Sequence, residues 1–158
     1  MKISASAMTF LKSGFTLVLG VIVAPLFGAL PLVAAASLDH LSAIGNPNIL
    51  EVARVFGYTV LGAYVFGIPY GLWQSLAIGT VLSTFGILGR GIGVTALAIA
   101  ILAGLSLGIV IFWRGLINQN HPNAAGAMFL NPAIFAACHF FLAASSWVMA
   151  RSIWRQGK

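Results

Sequence analysis

Eight Lys and Arg and two acids are the only charged side chains in 158 residues, and their spacing limits the fold more than anything else here. Lys2, Lys12, Asp39, Glu51, Arg54, Arg90, Arg114, Arg151, Arg155 and Lys158 leave uncharged intervals at 13–38, 55–89, 91–113 and 115–150. Each interval can hold a bilayer span, which takes about 20 apolar residues. Charged residues are 6% of the chain, against about 25% in an ordinary soluble domain. The sequence therefore predicts an integral membrane protein of the all-α class. With 60% hydrophobic residues and a mean hydropathy of +1.03, the expectation is one transmembrane domain over 1–158.

Span one is expected over about 14–38, with Pro25 and Pro31 as helix breaks, since each removes a backbone donor. Ala34-Ala35-Ala36 has the small-x-small form of a signal-peptidase site. The apolar stretch from Gly14 to Val33 is too long for a typical cleaved signal, so a retained signal anchor is expected. Asn46-Pro47-Asn48 marks a turn. The next uncharged interval, 55–89, is a puzzle. As one helix it would run about 52 Å against a hydrocarbon core near 30 Å. Gly67, Pro69 and Gly71 in its middle are the expected hinge or break.

Crossing twice would give five spans and place Arg54, Arg90, Arg151, Arg155 and Lys158 outside, with only Lys2, Lys12 and Arg114 in the cytoplasm. Crossing once gives four spans. Lys2, Lys12, Arg90, Arg151, Arg155 and Lys158 are then cytoplasmic, and Arg54 and Arg114 lie outside with both acids. The second arrangement obeys the bias of Lys and Arg toward the cytoplasmic side. The expected spans are thus about 14–38, 55–73, 93–113 and 132–150, with both termini cytoplasmic in a bacterial-type inner membrane. Tyr58 and Trp73 would mark the two interfaces of span two.

Residues 75–89 are then expected to form a short cytoplasmic-side helix, interfacial or re-entrant, with the alternative of a single long, tilted helix. Its faces would be bulky (Ile78, Val81, Leu82, Phe85, Leu88) and small (Ser75, Gly79, Ser83, Gly86). Asn131-Pro132 has the form of a helix cap followed by a first-turn proline. Arg114 and the polar residues 118–123 would make up the outer loop before it.

Ala96, Ala100, Gly104 and Gly108 recur every four residues on span three, a small-residue stripe suited to close helix packing. His139 is the one clearly titratable side chain well inside a span. It shares a face with Ala136, Ala143 and Ser146 and is expected to be neutral and structural, bonded to a hydroxyl or carbonyl of another span. Thr59, Thr95 and Ser106 are the available hydroxyls.

Several function classes are disfavoured. No span holds an acid, which argues against ion-coupled transport and proton relays. No second span histidine exists for bis-histidine haem ligation. His40, His121, Asp39 and Glu51 lack paired metal-ligand spacing, and Cys138 is the only cysteine. The net charge of +6 is scattered, without the basic run that nucleic-acid binding needs. No catalytic residue, cofactor, metal or nucleic-acid partner is therefore expected, and the chain is not expected to be an enzyme. The expected partners are the lipid bilayer and other membrane proteins or further copies of the chain. The expected role is that of an accessory or interaction subunit acting through lateral helix packing. An oligomeric transporter or channel for a neutral or weakly charged solute is the alternative.

Overall fold

The computed structural model describes residues 4–118 and 131–155, with side chains except at 63, 66–70 and 111–118. All the regular structure among these residues is helical. In chain order the helices are α1 (Ala5–Ile22), α2 (Ala24–Ile44), α3 (Ile49–Ile87), α4 (Val94–Asn118) and α5 (Pro132–Arg155).

The ends of these helices are written in local chemistry. Ser4 caps α1 by accepting from the Ala7 N–H at 3.2 Å. The break between α1 and α2 falls at Val23, and Pro25 occupies the first turn of α2, where its missing N–H costs nothing. Pro31 lies inside α2, which continues through it. Gly45 (φ 83°) ends α2. Asn48 and Glu51 then open α3 with a capping box: Asn48 Oδ1 accepts from the Glu51 N–H at 3.0 Å, and Glu51 Oε2 accepts from the Asn48 N–H at 2.9 Å. At the other end of α3, the Gly89 N–H donates to Gly86 O and the Arg90 N–H to Phe85 O. With Gly89 at φ 64°, this is a Schellman motif, which turns the chain toward α4. Asn131 Oδ1 accepts from the Ala133 N–H at 3.0 Å and starts α5 at Pro132.

The long α3 corrects the expected organisation of residues 55–89. The helix is unbroken for 39 residues, about 58 Å. Gly67, Pro69 and Gly71 do not end it, and 75–89 is no separate interfacial helix. Ser75, Ile78, Leu82 and Ser83 are buried, so this stretch is the centre of the bundle. Gly71 serves packing: a Cβ there would lie 3.1 Å from Pro25 Cβ, so its lack of a side chain lets α3 pass close to the α1–α2 break.

α3 runs antiparallel to α1 and α2. Gly79 faces Leu17, Gly20 faces the Ser75 carbonyl, and Gly71 faces Pro25. The turn at 45–48 closes this hairpin at one end. α4 and α5 complete the bundle, with α5 against α1, α2 and α3. The core is alanine-rich, holding Ala24, Ala96, Ala100, Ala143 and Ala150 around Ile78, Leu82 and Leu142. Small side chains let the helix backbones approach closely.

By length and composition, two helical stretches of the described residues can cross a membrane, Ala5–Ile44 and Pro132–Arg155. Gly71–Ile87 and Val94–Val110 are shorter apolar stretches.

Candidate functional site

The four small residues of α4 all point inward. Ala96 and Ala100 are buried. A Cβ on Gly104 would come within 2.8 Å of Ile78 Cδ1, and one on Gly108 would run into the His139 ring. The stripe is thus occupied within the chain, by α3 on one side and α5 on the other.

His139 is 7% exposed. Its Nδ1 lies 2.8 Å from Phe135 O, one turn back on its own helix. A carbonyl can only accept, so Nδ1 carries the proton and Nε2 presents a lone pair. Nε2 is buried against Gly108 with no hydrogen-bond partner. This corrects the expectation of a bond to another span. Thr59 donates to Val55 O on its own helix, and Thr95 and Ser106 are exposed. Of the expected face-mates, Ala143 and Ser146 are buried with His139, whereas Ala136 is exposed.

Other polar groups share this interior. The pairing of Ile78 with Gly104 carries Gln74, one turn earlier on antiparallel α3, to the level of Gly108. Gln74 Oε1 is buried without a partner, as is Ser146 Oγ on α5. Along α4, then, a polar seam presents two acceptors, His139 Nε2 and Gln74 Oε1, and a hydroxyl. It holds no carboxylate.

A second constellation joins α1, α3 and α5. Ser75 and Gly79 of α3 lie against Thr16, Leu17 and Gly20 of α1, and Ser83, on the same small-residue face of α3, is buried. Trp154 of α5 lies over Gly86 of α3, and its Nε1 donates to Thr16 Oγ1 at 3.0 Å. Trp147 Nε1 donates to Gly93 O at 3.1 Å. The small face was visible in the sequence, but its partner was not. A glycine one turn from a helix end, matched by an indole elsewhere, is the only signal that could have found the Trp154 contact.

At the hairpin turn, Glu51 is committed to the capping box. Among the described residues, no three His, Cys, Asp or Glu side chains converge on one point. His121 and the loop residues 119–123 lie outside the described residues. Cys138 is buried.

Fold and site together define an all-helical chain with an apolar exterior and a polar interior seam. Compared with known proteins, it matches no family model, no curated protein and no solved structure.

Proposed function

We propose that this chain is a four-pass protein of an energised bacterial-type inner membrane, with both termini cytoplasmic, acting as an accessory subunit through lateral packing with membrane partners. The observation that carries the membrane reading is the apolar outer surface, set around a core that also holds polar groups. Phe10 (79% exposed), Phe15, Phe27, Tyr58 (70%), Trp73 and Phe140 face outward, while Thr16, Gln74, Ser75, Ser83, His139 and Ser146 are buried. Water would penalise that arrangement; hydrocarbon favours it.

The α4 stripe is occupied internally, so lateral association falls to another surface. The outer face of the α2–α3 hairpin fits best. It exposes Leu38, Phe56, Tyr58 and Leu61, with a groove between the helices lined by Leu30, Val33, Ala34, Ser37, Leu38 and Phe56. Purification in mild detergent with native mass determination tests this. A hetero-complex of fixed stoichiometry that is lost on Phe56→Ser, at unchanged helix content, is the expected result. A monomer, or a complex indifferent to this substitution, counts against it.

A second reading, permeation of a neutral or weakly charged solute by an oligomer, is favoured by the polar seam along α4. A defined homo-oligomer that speeds solute entry into proteoliposomes would favour it over the first.

A further inference from the structure

We propose that an open cavity between α2 and α3, near the hairpin turn, binds the head of a membrane hydroquinone (a quinol). The inference goes beyond the accessory role and takes from the membrane reading only that the ligand arrives through lipid. The cavity, of about 320 Å³, is lined by Ala36 and His40 of α2 and by Val55, Tyr58 and Thr59 of α3. Residues three and four apart share a helix face, so two facing stripes build its walls. The antiparallel register that sets Gly20 against Ser75 and Leu17 against Gly79 brings Ala36 level with Thr59 and His40 level with Val55. Space remains at this level because Ala36 contributes only a methyl group, and no residue of α2 beyond Val33 is buried.

The lining selects the ligand. No Asp, Glu, Lys or Arg side chain borders the cavity, which favours an uncharged molecule. The Thr59 hydroxyl donates to Val55 O at 2.6 Å, so toward the cavity it can only accept. His40 and Tyr58 each bring a group that both donates and accepts. A ligand with its own O–H groups satisfies this set, whereas one with carbonyls alone leaves Thr59 without a donor. The volume is at the small end for a ligand site and suits a single ring. Outside the cavity, Tyr58, Leu61 and Val65 are exposed in one stripe along α3, a path for an apolar tail. A rigid ring loses less freedom in a slot between two helices than a flexible glycerol head does. A hydroxylated ring on an apolar tail is a prenylated hydroquinone, and that is the ligand the whole surface fits.

The test uses the full chain in neutral detergent under argon, titrated with decylubiquinol or decylubiquinone and read by calorimetry. One decylubiquinol should bind per chain, more tightly than decylubiquinone. Thr59→Val removes the acceptor while keeping nearly the same shape. It should weaken quinol binding about fivefold, the equivalent of one hydrogen bond of about 1 kcal/mol, and leave the quinone unchanged. Tyr58→Phe should weaken both. Phe56→Ser, in the separate groove offered to protein partners, should change neither. Failure of the unmodified chain to bind decylubiquinol saturably would overturn the proposal. So would equal affinity for quinol and quinone, or equally effective displacement of the quinol by monoolein. The membrane reading fails separately: a chain that stays monodisperse with neither detergent nor lipid would refute it. One that needs detergent but binds no quinol refutes only the cavity.

Discussion

At the scale of single residues, the seam along α4 makes two predictions of opposite sign. Gly104→Leu should cost about 1–3 kcal/mol, the usual range for overpacking, because a Cβ there already meets Ile78 at 2.8 Å. Ile101→Leu nearly conserves volume and should cost less than about 1.5 kcal/mol. Melting curves of the two variants in detergent compare them, and equal midpoints would mean that α3 can retreat from α4. For His139 the sign reverses from what its position alone implies. Its ring bonds the Phe135 carbonyl of its own helix, so no group on another helix loses a hydrogen bond when it goes. His139→Leu removes a buried Nε2 without a partner, a group that costs about 1–3 kcal/mol, against about 1 kcal/mol for the lost Nδ1 bond. Its melting temperature should hold or rise; a fall of several degrees would mean that Nε2 has a bound water or other donor. The small stripe and the depth of His139 were legible because both follow from spacing along one helix. The bonding of the imidazole was not, because a carbonyl one turn back competes with every cross-helix partner and leaves no trace in the sequence.

At the scale of helices, the informative elements are α3 and the Trp154 contact that ties its C-terminal turns to α1 and α5. Gly86→Ala would push a methyl into the Trp154 indole and break its bond to Thr16. Destabilisation by about 1–3 kcal/mol is expected. Trp154→Ala should be costly in the intact chain, yet add much less once Gly86→Ala is present, because the two changes act on one contact. A double-mutant cycle on melting free energies checks this, and strict additivity would dissolve the link. Helix starts at Asn48 and Asn131 and the stop near Gly89 could be read directly, since caps are local chemistry. The continuity of α3 through Pro69 could not. A proline reads as a break in any window of sequence, since it removes a backbone donor, and nothing local marks the helix that runs through it. For the same reason Gly71 looked like a turn residue, although it makes room for Pro25.

At the scale of the whole molecule, the antiparallel hairpin separates the charges into two groups, and the proposed topology assigns each group a side. In a Cys138→Ala background, a membrane-impermeant thiol reagent added to intact cells should label Asn48→Cys but not Arg90→Cys or Lys158→Cys. Labelling of Lys158→Cys from outside would reject four crossings. Charge spacing conveyed the all-helical, apolar character of the chain, while the use of 75–87 as the bundle's centre depended on contacts with helices distant in sequence. The hairpin turn itself has a consequence for how such a chain enters a membrane. Only residues 45–48 separate α2 from α3, so in the proposed topology the tip would cross as one unit, carrying Asp39, Glu51 and Arg54 together. Counting Asp, Glu and Arg alone, that cargo carries a formal net charge of −1. An inside-negative potential draws it outward with about 2.3 kcal/mol per 100 mV, and the same field holds the cationic end back. The proton-motive state of the cell would thus help to decide which way this protein faces, before any helix has packed against another.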